Sequence, residues 1–117
     1  MRIHLLKSKI HRAKITGASL HYEGSLGIDL DYIEQVGLHP YERILCANLA
    51  TGDRFETYVI ADPRGSRTFT LNGAASRLGA PGDLLTIMAF GEFDAEGAPN
   101  HHPKVLVLDE ANEVRRS

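Results

Sequence analysis

Arg43-Ile44-Leu45-Cys46-Ala47-Asn48-Leu49 alternates in polarity. Ala50-Thr51-Gly52-Asp53 supplies turn residues, and Arg54-Phe55-Glu56-Thr57-Tyr58-Val59-Ile60 alternates again. Period-two patterning on both sides of a Gly-Asp turn predicts a pair of β-strands joined as a hairpin. Downstream, Asp62-Pro63-Arg64-Gly65 reads as a second turn, Thr68 to Leu71 as a short strand and Leu84 to Phe93 as a long apolar strand. Lys104 to Leu108 reads as a last strand. Upstream, Arg2 to Ile15 shows period-two patterning with a shift near Lys7-Ser8, and Thr16-Gly17-Ala18-Ser19 reads as a turn or loop.

Helical signals are few. Over Ile28 to Gly37, Asp29 suits the N-terminal cap, Leu30, Ile33 and Val36 share one face, and Gly37 suits the position past the C-terminus. Asn72-Gly73-Ala74-Ala75 predicts a short helix running to Leu78, capped by Asn72. Gly79 to Asp83 is a turn, Asp94 to Pro103 a loop, and the polar tail Asp109 to Ser117 is expected to fray. Six or seven short strands with two short helices describe a small, mostly β barrel whose topology the pattern leaves open.

At 117 residues the chain is one domain, 1–117. It can bury roughly 65% of its unfolded surface. Hydrophobic residues at 43% and charged residues at 24% are ordinary for a globular chain. No apolar run approaches the ~20 residues of a membrane span, and the basic N-terminus lacks the apolar core of a signal peptide. Cys46 is the one cysteine, so there is no internal disulfide, and a cytoplasmic location is expected. Within residues 1–24, Arg2, Lys7, Lys9, Arg12 and Lys14 against Glu23 leave +4, so the rest carries -6 of the net -2. These cations alternate with apolar residues and no aromatic interleaves them before Tyr22. That favours a solvated strand face or an anionic-substrate pocket over nucleic acid.

His21-Tyr22-Glu23-Gly24-Ser25 is where the chemistry concentrates. Alone, Gly24-Ser25 is a turn dipeptide. In company it is one of several separated motifs: Lys9-Ile10-His11-Arg12-Ala13-Lys14, Arg54-Phe55-Glu56-Thr57-Tyr58, Arg64-Gly65-Ser66-Arg67 and Asn72-Gly73-Ala74-Ala75. In order and spacing, from Arg2 to about Asn112, these resemble the pyruvoyl-dependent aspartate 1-decarboxylases. The resemblance implies a double-psi β-barrel with short helices, assembled as a homotetramer whose subunit edges complete the active sites.

It also implies that the precursor, a zymogen, cuts itself between Gly24 and Ser25 into residues 1–24 and 25–117. The Ser25 hydroxyl attacks the Gly24 carbonyl, the amide becomes an ester, and elimination then hydrolysis leaves a pyruvoyl group. Glycine leaves the approach unobstructed and tolerates a strained backbone. Thr57 can donate to the oxyanion. The ketone then forms a Schiff base with the amine of L-aspartate and takes up the electrons of the departing carboxylate, with neither a metal nor pyridoxal phosphate. The implied product is β-alanine, used for pantothenate and coenzyme A.

A substrate with two carboxylates calls for cations. The resemblance assigns Arg54 to a carboxylate, which its planar fork can bind twice, and places Lys9 nearby. On the residues alone both are solvated strand cations. Tyr58 is the implied proton donor, for which a phenol is acidic enough, although a barrel tyrosine packing one face reads the same. In a regular strand Thr57 leaves on the side opposite Tyr58, so assigning both to one site requires two subunits or a local twist. Gly73, Ala74 and Ala75 are implied to hold the substrate through backbone N–H groups at a helix start. An Asn-Gly turn explains the same residues. His11, Tyr22 and Asn72 are placed near the site, or are satisfied barrel residues.

Other signals read as structural. His101-His102 on one loop cannot readily share a tetrahedral ion. Arg64-Gly65-Ser66-Arg67 lacks the ending of a phosphate-binding loop, and Ser25 is not in a Gly-x-Ser-x-Gly elbow. Cys46 in an apolar strand is expected to be buried and inert. The competing reading is a binding barrel that keeps Gly24-Ser25 intact and holds an acidic ligand with Arg54 and Lys9. Within enzymes the competitor is L-glutamate as substrate. Whether maturation needs an accessory protein is open.

Overall fold

The computed structural model describes residues 1–20 and 22–117, so His21 lies outside the described residues. Strand β1 (Arg2–Lys14) continues through Ile15 and Thr16 into β2 (Gly17–Ser19). The other strands are β3 (Ser25–Asp29), β4 (Arg43–Asn48), β5 (Arg54–Asp62), β6 (Phe69–Asn72), β7 (Leu84–Asp94), β8 (Lys104–Leu108) and β9 (Val114–Arg116). Their order is β2-β6-β3-β5-β4-β7-β1-β8-β9. Because β1 and β2 are one run of chain, the β2 end of that order returns to β1 and the sheet closes, with β8 and β9 continuing beyond β1. Ile15 N–H donates to Asp83 O and Thr16 N–H to Phe69 O at the corner, both at 2.9 Å.

The pairings β3·β5 and β2·β6 are parallel, while β3·β6, β5·β4, β4·β7 and β7·β1 are antiparallel. This mixed, closed, mostly β barrel is the double-psi architecture that the resemblance implied. Closure hides the strand edges that an open sheet leaves unpaired. Inside lie Ile10, Ile15, Leu26, Ile28, Ile44, Val59, Phe69, Leu71, Leu85 and Ile87, all at most 1% exposed. Each contributes about 1.5–3 kcal/mol by leaving water.

The hairpin of residues 43–60 forms as expected, β4 and β5 pairing Arg43 with Tyr58 through to Ala47 with Arg54. The irregularity expected near Lys7-Ser8 is a register shift between Leu6 and Ser8, and a second falls between Ile10 and Ala13, where Arg12 has φ +64°. Helix α1 spans Leu30–Gln35, capped by the Asp29 carboxylate on Asp31 N–H, with Gly37 at φ +71° beyond it. The helix is shorter than patterning predicts because Ser25–Asp29, Ile28 included, is taken as a strand between β5 and β6.

Four further expectations are corrected. Thr16 to Ser19 is not a loop, since Gly17–Ser19 pairs with β6. Asp94 to Pro103 contains a 3-10 helix, Ala95–Asn100, and His101 packs on Phe93 with ring centroids 4.5 Å apart rather than sitting in solvent. The tail does not fray throughout: β9 pairs with β8, and Asn112 is 2% exposed. Its amide accepts from Lys14 N–H and donates to the carbonyls of Lys14 and Arg67, while its own carbonyl accepts from the Tyr32 hydroxyl. Finally, Asn72 precedes a 3-10 helix, Gly73–Arg77, but its side chain makes no cap.

Candidate active site

Ser25 opens β3. Leu26 and Ile28 point into the core, so by alternation Ser25 and Gly27 take the outer face. Ser25 nevertheless is 1% exposed, because its neighbours cover it. It pairs directly with Asn72 on β6, and the Asn72 amide donates to Ser25 Oγ at 3.1 Å. Ser25 Oγ donates in turn to Glu23 O at 3.2 Å. The amide that patterning assigned to a helix cap is thus aimed at the candidate nucleophile.

Gly73, at φ +68°, presses on the chain just before Ser25. A Cβ there would lie 2.6 Å from Gly24 Cα, 2.7 Å from Gly24 N and 3.0 Å from Tyr22 O. Glycine is therefore required at position 73 twice, by conformation and by space. Gly24 itself is exposed, with nothing within 4 Å of where a Cβ would stand.

In the parallel pairing of β3 with β5, Leu26 is level with Val59. Regular strand geometry carried one residue back from that pair brings Ser25 towards Tyr58. Strand β5 shows no register shift against β4 across these positions. Val59 is core and Phe55 packs against it, so Thr57 takes the inner face and Tyr58 the outer face with Ser25. One chain thus gathers Gly24, Ser25, Asn72 and Gly73, while Thr57 and Tyr58 leave β5 on opposite faces with no local twist between them. Ala74 is exposed and Ala75 packs partly against the core.

The cations are elsewhere. Arg54 pairs with Ala47, and Ala47 with Thr86, while His11 Nδ1 lies 3.2 Å from Thr86 Oγ1. Lys9 pairs with Met88, and Met88 with Leu45. Lys9, His11 and Arg54 therefore share the outer face of β1, β7, β4 and β5. Arg54 starts β5, four residues and about 13 Å of strand from Tyr58. A single chain does not bring Arg54 and Lys9 to Ser25. A concavity of about 440 Å³ on this face, lined by His4, Arg43, Leu45, Glu56, Met88 and Phe90, does not include Ser25 either.

Among the described residues, Arg54 and Lys9 have no carboxylate within 4 Å. Lys7, Arg43 and Arg67 each have one, and Arg64 has two. Glu56, between Arg54 and Tyr58, is held by Arg43 at 2.5 Å, and that contact keeps its carboxyl below the usual range. Burial, then the charges of Lys9, Arg12 and Arg116, lower the His11 pKa from 6.5 and favour the neutral ring. Arg64 is taken up by Asp31 and Glu34, and Arg67 by Glu113, while Asp29 accepts from Gly65 and Arg67 N–H. Arg64-Gly65-Ser66-Arg67 is thus a structural turn. Cys46 is buried, which pushes its thiol up to about 12, so it is inert at neutral pH. Among the described residues no group of three or more His, Cys, Asp or Glu converges as a metal site, and no helix is long and apolar enough to cross a membrane. Sequence reasoning missed Thr86, whose hydroxyl contacts His11. Only the strand register reveals it.

Comparison with known proteins now bears on this geometry. The family described as aspartate decarboxylase matches residues 1–115. The aspartate 1-decarboxylase of Maricaulis maris is 50% identical over 114 residues, 97% of this chain and 94% of that one. That of Prosthecochloris aestuarii is 48% identical over 116 residues, covering 99% and 90%. That of Leptospira biflexa serovar Patoc is 47% identical over 118 residues, covering 100% of both. In solved structures there is a distant likeness to the computationally designed msDPBB_sym2 protein: 14% identity, TM-score 0.47, 73% of this chain and 96% of that one. A barrel carrying these motifs throughout its length is a carboxy-lyase. The chain belongs to the aspartate decarboxylase family, and the reaction is decarboxylation of L-aspartate.

Proposed function

We propose that this chain, a single domain over residues 1–117, cuts itself between Gly24 and Ser25 and uses the resulting pyruvoyl group to convert L-aspartate to β-alanine and carbon dioxide. The observation that carries the reading is the Ser25 hydroxyl. It is buried, oriented by the Asn72 amide and Glu23 O, and it follows the exposed Gly24 directly in the chain. A serine is the residue this group requires, and Gly73 and Asn72 enclose it. The residues present therefore fit its formation.

Maturation begins when Ser25 Oγ bonds to the Gly24 carbonyl carbon and loses its proton. The Gly24–Ser25 C–N bond breaks, leaving an ester and a free amine. Removal of the Ser25 α-proton expels the Gly24 carboxylate from Cβ. Water then replaces the nitrogen, which leaves as ammonia. Thr57 is the proposed donor to the transient oxyanion. Asn72 holds Oγ on the attacking side.

When formed, the pyruvoyl group supplies an electrophilic ketone for the substrate amine and an electron sink for decarboxylation. This chain's residues do the rest. Tyr58, on the same outer face as Ser25, gives the proton to the α-carbon. Arg54 binds a substrate carboxylate with Lys9 beside it, both from the outer face of a neighbouring copy, because in one chain they lie away from Ser25. Gly73, Ala74 and Ala75 border the substrate, and His11 and Tyr22 lie at the rim. A homotetramer in the cytoplasm provides the neighbours, and the product serves pantothenate and coenzyme A synthesis. A maturation factor is the further partner proposed.

Intact-mass spectrometry after incubation tests this. Two fragments are expected, 1–24 ending in a free carboxylate and 25–117 lacking the Ser25 amine, with Ser25→Ala giving one uncut, inactive chain. Activity in Ser25→Ala, or aspartate turnover by an uncut wild-type chain, would refute the pyruvoyl reading.

A further inference from the structure

Tyr41 has φ +71° and is 78% exposed. A bulky aromatic in the left-handed region is strained where Gly or Asn would not be. Nothing in the burial of Tyr41 compensates, since its ring stays largely in water. What the ring does touch is Tyr58: the two centroids lie 6.4 Å apart at 37°, within the range of a tilted aromatic pair.

The backbone around Tyr41 makes that contact specific. Tyr41 N–H donates to Val59 O at 2.6 Å, and Val59 N–H donates to Glu42 O at 3.0 Å. Tyr41 and Glu42 thus clip β5 at the residue immediately after Tyr58. Glu42 is itself anchored, by Lys7 at 3.1 Å and by His39 N–H at 3.0 Å, and Lys7 also holds Gly37 O at 2.6 Å. The loop between α1 and β4 is therefore tied to β1 on one side and to β5 on the other, with Tyr41 laid over Tyr58.

We infer that Tyr41 is a positioning residue for Tyr58, its ring restricting the Tyr58 ring so that the phenol is presented at the Ser25 end of the outer face. The consequence for rate rests on the proton-donor reading of Tyr58. The ring contact does not, and the two are tested separately.

The mature enzyme is compared as wild type, Tyr41→Gly, Tyr41→Phe, Tyr58→Phe and the double variant Tyr41→Gly/Tyr58→Phe. Tyr41→Gly should lower kcat about threefold to tenfold, the worth of an aromatic pair, with KM for L-aspartate unchanged. It should self-cleave normally and melt no lower than wild type, because glycine relieves the positive φ. A purely structural role predicts a lower melting temperature instead. Tyr41→Phe keeps the ring and should stay within about twofold of wild type. In the Tyr58→Phe background, Tyr41→Gly should cause no further loss.

Fluorine NMR of a fluorotyrosine at position 58 supplies a readout independent of rate, and its resonance should shift in Tyr41→Gly. An unmoved resonance, or an equal loss of kcat with and without the Tyr58 hydroxyl, overturns the inference. Full turnover by Tyr58→Phe overturns the proton-donor reading instead, and the resonance then still decides whether Tyr41 positions the ring.

Discussion

Replacing Gly73 with alanine should damage both the fold and its maturation. The new Cβ would stand 2.6 Å from Gly24 Cα and 2.7 Å from Gly24 N, closer than the 3.0 Å below which such contacts essentially never occur, and both obstacles are backbone. Forcing a side chain into φ +68° costs about 1–2 kcal/mol. Relieving the overlap by moving Gly24 costs about 1–3 kcal/mol more. The sum, about 2–5 kcal/mol, is a large share of the roughly 5–15 kcal/mol that holds a domain folded. Gly65→Ala is the internal control, since Gly65 has φ +81° and nothing within 4 Å of a Cβ, so it bears the conformational cost alone.

Urea unfolding at one protein concentration reads the difference. At a slope near 2 kcal/mol/M, Gly73→Ala should lower the midpoint by roughly 1–2.5 M and Gly65→Ala by roughly 0.5–1 M. Intact mass reads the second effect. Displacing Gly24 moves its carbonyl from Ser25 Oγ, and a misplacement on the order of 1 Å slows such a step about a hundredfold. Gly65→Ala should cut normally. If Gly73→Ala unfolds like Gly65→Ala and cuts at the wild-type rate, Gly24 does not lie against Gly73 and the proposed site is wrong.

Two other outcomes follow from the outer face. Arg54→Ala should raise KM for L-aspartate by about tenfold or more, the worth of a charged hydrogen-bonded contact, with self-cleavage intact; an unchanged KM would make Arg54 a solvated strand residue. His11 should make the fold acid-sensitive. Its pKa is lowered in the folded chain by burial and by Lys9, Arg12 and Arg116, so below 6.5 the unfolded chain binds the proton more readily. The resulting stability is present above pH 6.5 and is lost as pH falls through the folded value. The melting temperature should drop between about pH 7.5 and 5.5, and less so in His11→Gln; an equal drop in both would assign the effect elsewhere.

The competing reading of an intact binding barrel turns on the same residues. Its cations, Arg54 and Lys9, lie on the outer face without a carboxylate within 4 Å among the described residues. What separates it from the enzyme is Ser25. A binding module has no use for a serine hydroxyl buried against the Asn72 amide beside an exposed glycine.

Local alternation and local caps were legible directly, because both depend on neighbours in sequence. The 43–60 hairpin, the Asp29 cap and the break near Lys7-Ser8 are of this kind. The motifs carried the family and hence the barrel. Strand β3 was not legible, because Ser25-Leu26-Gly27-Ile28-Asp29 is too short and too mixed to show a period, and it is a strand only because β5 and β6 flank it. The same holds for Gly17–Ser19 and for the tail, which Asn112 pins through three side-chain hydrogen bonds to Lys14 and Arg67. Asn72 was misread as a cap because an Asn before Gly-Ala-Ala has that local propensity. A partner 47 residues away in the chain, the Ser25 hydroxyl, takes its amide instead. Residue types and their order by themselves determined which groups this protein has to do chemistry with. Only the closed sheet decided which of them meet, placing Ser25 against Asn72 and leaving Arg54 and Lys9 on a face turned outward, because register, not sequence distance, sets what lies next to what.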